Sequence, residues 1–79
     1  MNDLTEQLDR CFLSNFPGLT PRDVRSASIE TLRTWGSTAH IVLLTSVAEE
    51  FGVEFEIEDY ELLVSYERIL EELRRKKGH

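Results

Sequence analysis

Seventy-nine residues with 41% hydrophobic and 30% charged side chains fit one small globular domain with a thin core, and not a disordered chain. A deep, water-excluding active site is hard to build at that size, which weighs against a self-sufficient enzyme. The formal charge is −6, with no Lys or Arg between Thr34 and Glu67 and a run of acids from Glu49 to Glu61, which argues against nucleic acid and favours basic protein surfaces.

The single cysteine, Cys11, excludes an internal disulfide and fits a reducing compartment. No apolar run approaches the roughly 18 residues of a membrane span. The stretch Met1–Glu6 is acidic and lacks the basic and apolar regions of a signal peptide. A cytoplasmic monomer with no membrane partner is expected.

Leu4, Leu8, Cys11, Phe12 and Leu13 recur at helical spacing, so the first helix is predicted from about Asp3 to Asn15, with Asn2 or Asp3 as its cap. Cys11 falls on the apolar side and reads as a small core residue, not a nucleophile. Phe16-Pro17-Gly18 ends the helix. The long connection to Gly36 should hold a short helical turn at Thr20-Pro21-Arg22-Asp23 and another at Ser28–Leu32. Its expected anchors are Leu19, Val24, Ile29, Leu32 and Trp35.

A second helix is predicted from Ser37 to Phe51, stopped by Gly52. Ile41, Leu44, Ala48 and Phe51 form its stripe, widened by Val42, Leu43 and Val47. Ser37 is placed to act as N-cap. It is also exposed at the electropositive end of a helix, where a phosphate is favoured.

Val53-Glu54-Phe55-Glu56-Ile57 alternates like a strand but has no partner strand, so an extended linker is expected, plugging Val53, Phe55 and Ile57 into the core. Glu58–Leu63 reads as a short third helix. Ser65 then caps a final helix on which Tyr66, Ile69, Leu70 and Leu73 face inward, with Arg74–Lys77 at the favourable C-terminal end and Gly78-His79 frayed. The sum is an all-α protein: three longer helices, one short helix and a long first loop.

Ser37 and His40, three apart on one helix, invite a hydrolase reading. Trp35-Gly36-Ser37-Thr38-Ala39 lacks the flanking glycines of a nucleophile elbow, and no strand leads into it. No residue pattern supplies an oxyanion hole or an orienting carboxylate. His40 reads as a helix-surface or groove residue, and no catalytic residue is assigned. Two histidines and a lone cysteine give no metal-ligand spacing. Glu54, Glu56, Glu58 and Glu61 lack the glycine and oxygen pattern of a calcium loop and read as surface charge.

From Trp35 to Leu73 the chain resembles the acyl carrier proteins, four-helix carriers that bind phosphopantetheine. Their Asp-Ser-Leu signature at the start of the second helix, followed by apolar residues and an acidic pair with Phe, corresponds here to Gly36-Ser37-Thr38, Ile41, Leu43-Leu44 and Glu49-Glu50-Phe51-Gly52-Val53. Trp35 and His40-Ile41 resemble a stand-alone bacterial variety, and the layout from Leu4 onward fits as well.

The resemblance implies an acyl-carrier-like four-helix bundle. It implies 4′-phosphopantetheine attached through Ser37, with acyl or aminoacyl cargo held as a thioester, as in fatty acid or polyketide biosynthesis. It also implies a phosphopantetheinyl transferase and acyl-activating ligase, acyltransferase or synthase partners with basic docking patches. Thr38, His40, Ile41, Val42, Glu49, Glu50, Glu58 and Asp59 would face those partners. Two positions depart from the signature, Gly36 for Asp and Thr38 for Leu, and Val42 stands where carriers often show an acid. The Gly-Gly-x-Ser pattern of peptidyl carriers is absent, which favours acyl cargo. The competing reading is a carrier-fold interaction module with no covalent arm.

Overall fold

The computed structural model describes residues 4–77. In chain order these form helix α1 (Leu4–Asn15), a single 3₁₀ turn (Val24–Ser26), α2 (Ser37–Phe51), α3 (Ile57–Leu62) and α4 (Tyr66–Lys76). Among the described residues there is no strand, only an isolated antiparallel bridge between Ser28 and Ser65. The all-α class expected from the sequence holds. No described helix is long and apolar enough to cross a membrane. The caps proposed at Asn2 and Asp3 and the frayed Gly78-His79 lie outside the described residues.

The apolar spacing of α1 buries Leu8, Cys11 and Phe12, with Leu4 and Leu13 packed partly against them. Phe12 is the hub of an aromatic cluster. Its ring centroid lies 5.4 Å from Trp35, 5.2 Å from Tyr66 and 6.1 Å from Phe16, which joins α1 to the long connection and to α4. Offset and edge-on pairs of this kind add stability beyond the area they bury. Phe16, expected only as part of a helix stop, is itself core.

Helix α2 has its predicted bounds. Gly52 closes it in the left-handed conformation (φ 67°, ψ 37°), where a Cβ would be strained, and Lys77 Nζ at the end of α4 donates to the terminal carbonyl of Phe51 at 2.9 Å. The buried face consists of His40, Leu43, Leu44, Val47 and Phe51. Ile41, expected in that stripe, is instead 56% exposed. At about 100° per residue it points roughly a quarter turn away from the direction set by Leu43, Leu44, Val47 and Phe51.

The connection between α1 and α2 is anchored by buried Val24 and Trp35 and by half-buried Leu19 and Leu32. Ile29, expected as a fifth anchor, is exposed. Ser28 and Thr31 form a hydrogen-bonded turn that turns its side chain outward. Thr20–Asp23 is a turn and not a helix: Asp23 N–H donates to the Thr20 carbonyl, the Thr20 hydroxyl donates to the Asp23 carboxylate, and the 3₁₀ turn begins at Val24. Two backbone bonds fasten the connection to the α3–α4 junction, from Ile29 N–H to Val64 and from Tyr66 N–H to Ala27, each at 3.0 Å.

Residues 53–56 run without regular structure, as expected of a linker, with Val53 and Phe55 against the core. Ile57 does not plug the core but is 81% exposed. The reason is a capping box: Glu56 caps α3, its N–H donates to Asp59 Oδ2 at 2.8 Å, and its carbonyl accepts from the Asp59 N–H at 2.9 Å. That box starts α3 one residue early and places Ile57 on the outside of its first turn. Ser65 caps α4 as predicted, its Oγ accepting from Arg68 N–H at 3.2 Å. The Tyr66 hydroxyl donates to Asp9 Oδ1 at 2.7 Å, and Arg25 donates to Asp9 Oδ2 at 2.9 Å, so one carboxylate ties α1 to both α4 and the 3₁₀ turn.

Candidate functional site at the start of helix α2

The N-cap of α2 is Gly36, not Ser37. Gly36 has extended backbone and no side chain to offer, and its carbonyl accepts the first helical bond, from His40 N–H at 2.8 Å. Ser37 is therefore the first residue inside the helix, exposed. No side chain caps the first turn and no acid lies in it, so its positive end is neither bonded nor neutralised by the chain. A hydroxyl at that position can accept a phosphate ester, whose charge the free N–H groups would stabilise.

His40, one turn on, cannot activate that hydroxyl. Trp35 Nε1–H donates to His40 Nδ1 at 2.9 Å, which leaves Nε2 to donate to the Tyr60 carbonyl at 2.6 Å. Both ring nitrogens are thus spent, and the neutral ring carries its proton on Nε2. The expectation of a surface or partner-facing His40 is corrected: the side chain is buried, and it bridges the connection before α2 to α3. Only the tertiary position of Tyr60 makes this bridge, so sequence spacing offered no sign of it.

Ser37 forms part of the wall of an open groove of about 510 Å³, lined also by Asn15, Thr34, Gly36, Thr38, Ala39 and Val42. Asn15 and Thr34 were not anticipated from the sequence, because the end of α1 meets the start of α2 only through the fold. Thr38, Ile41 and Val42 are exposed. Glu49 and Glu50 are exposed too, but about 18 Å along the helix from Ser37 at 1.5 Å per residue. They line a separate polar groove beside α1 with Arg10 and Ser46, where Glu50 accepts from Gln7 Nε2 at 3.3 Å. Glu58 is exposed on α3, whereas Asp59 is half-buried and committed to the capping box.

Cys11 also borders the polar groove, yet burial, with the Glu50 charge adding to it, pushes its thiol up to about 11, so it is neither thiolate nor nucleophile near neutrality. Among the described residues no three His, Cys, Asp or Glu side chains gather as a metal site requires. No protein-family model matches the chain, and neither the curated proteins nor the solved structures contain a match.

Proposed function

We propose that the chain is a carrier of the acyl carrier type, an acyl-carrier-like four-helix bundle that takes 4′-phosphopantetheine on Ser37 and presents cargo to partner enzymes. The observation that supports this most is the state of Ser37: exposed, first in its helix, and relieved of the capping role by Gly36. The residues present fit the group. The uncapped N–H groups of α2 suit its phosphate, and the adjoining groove is open to an arm. When bound, the group supplies a terminal thiol that holds acyl or aminoacyl cargo as a thioester. In loading by a phosphopantetheinyl transferase, the Ser37 hydroxyl gives up its proton, its oxygen bonds the phosphorus, and the phosphorus bond to the 3′,5′-ADP part of coenzyme A breaks. Glu49, Glu50 and Glu58, exposed on a stretch with no Lys or Arg between Thr34 and Glu67, suit brief, salt-sensitive contact with basic patches on ligases, acyltransferases or synthases.

Intact mass after incubation with coenzyme A and a broad-specificity transferase tests the reading. One phosphopantetheine should be gained by the wild type and none by Ser37→Ala, which keeps its helical spectrum and, being an exposed change, its stability to within about 0.5 kcal/mol. Absence of any gain, with the native transferase as well, would favour the second reading of an unmodified interaction module. The exposed pair Ile41 and Val42 on an uncharged stretch of α2 is the observation on its side. In that case Ser37→Ala would leave partner binding unchanged.

A further inference from the structure

We infer, resting on the carrier reading, that Asn15, Thr34, Ala39 and Val42 hold the arm on the α1 side of α2, and that the Trp35–His40–Tyr60 chain keeps cargo out of the helical core. Two independent observations carry this. On the α3 side, one turn from Ser37, the seam is closed by the Trp35 to His40 to Tyr60 hydrogen bonds, with the His40 ring edge-on to Tyr60 at 6.1 Å and beside Trp35 at 5.8 Å. Entry there requires breaking one buried and one part-buried hydrogen bond. On the α1 side, Ser37 shares the wall of an open groove with Asn15, Thr34, Ala39 and Val42. Leu43, Leu44, Val47, Ile69 and Leu73 are fully buried in the core. The cargo class that follows is a short or polar acyl group, held at the surface.

The test loads the protein from acetyl- and octanoyl-coenzyme A with a broad-specificity transferase, checks each product by intact mass, and compares amide and methyl NMR shifts with the unloaded chain. Shifts at Asn15, Thr34, Ala39 and Val42, with core methyls unchanged between acetyl and octanoyl, are expected. Shifts at Leu43, Leu44, Val47 and Tyr60 that grow with chain length would overturn the inference while leaving the carrier reading intact. So would loading that moves nothing beyond Ser37 and its chain neighbours, since the arm would then be free in solvent. Failure to gain mass with this or the native transferase would remove the carrier reading, and the inference with it.

Discussion

At the scale of single residues, the start of α2 turns on Gly36, which takes the cap position expected of Ser37, and on His40, which is buried where a surface residue was expected. Gly36 takes the cap position without a capping group, and a Cβ built there meets nothing within 4 Å. Its backbone is extended, so any residue can occupy it. Gly36→Asp should therefore stabilise the fold by about 0.5–1 kcal/mol, part from a carboxylate accepting from the first-turn N–H groups and part from a stiffer unfolded chain. Urea denaturation measures it, and unchanged or lower stability would show that the first turn is already satisfied. Under the carrier reading the same change restores the acid of the family signature, so it should also speed loading. His40 carries the opposite consequence. Truncation in His40→Ala strands a Trp35 N–H and a Tyr60 carbonyl and opens a cavity, an expected loss of about 3 kcal/mol. A loss below about 1 kcal/mol would mean that water replaces the ring at no net cost.

At the scale of elements, what the sequence made legible was what local chemistry marks. Helix α2 is stopped by Gly52 and α4 is announced by Ser65 and by Tyr66, Ile69 and Leu73 at three-four spacing, so the span of α2 and the start of α4 were found, although the α2 cap expected at Ser37 is Gly36. The start of α3 was missed by one residue because Glu56 and Asp59 cap each other, a pairing open to several acids in Glu54-Phe55-Glu56-Ile57-Glu58-Asp59. The long connection was legible in its anchors Leu19, Val24, Leu32 and Trp35 but not in its docking on the α3–α4 junction, since the bonds from Ile29 to Val64 and from Tyr66 to Ala27 are backbone to backbone and leave no mark on side-chain choice. Nor was the Asp9 hub, which joins residues far apart in sequence. Its two arms should differ in weight. The Tyr66 bond is part-buried and charge-assisted, so Tyr66→Phe should cost about 1–2 kcal/mol. The Arg25 side chain is 58% exposed, so Arg25→Ala should cost clearly less than Tyr66→Phe in the same denaturation series. The reverse order would place the stability of this junction in the 3₁₀ turn.

At the scale of the whole molecule, Cα extents of 31 × 30 × 17 Å leave room in the thin direction for two helix layers and a core one side chain deep. Under the carrier reading a core this thin has no reserve for long cargo, and every buried polar group weighs on it. Two of those groups couple stability to alkaline pH. The Cys11 thiol is raised from 9.0 to about 11, chiefly by burial, and the Tyr66 hydroxyl is raised above its ordinary 10, first by burial and then by its bond to Asp9. Both are neutral when protonated, and both bind that proton more tightly folded than unfolded. Below about pH 9 the thiol is protonated in both states and its contribution is complete. As pH rises from 9 towards 11 the unfolded chain ionises first, and stability falls, by on the order of 2 kcal/mol for Cys11 across that window. Tyr66 extends the fall to higher pH. Urea unfolding free energies from pH 7 to 10.5 should thus be flatter below 9 than above it, and Cys11→Ala should reduce the slope between 9 and 10.5 while leaving the higher-pH contribution of Tyr66 in place. Native Cys11 should correspondingly resist alkylation at pH 8 until urea unfolds the chain. An equal slope in wild type and Cys11→Ala, or rapid alkylation of the folded protein, would mean that the thiol is not held in the core between α1 and α2.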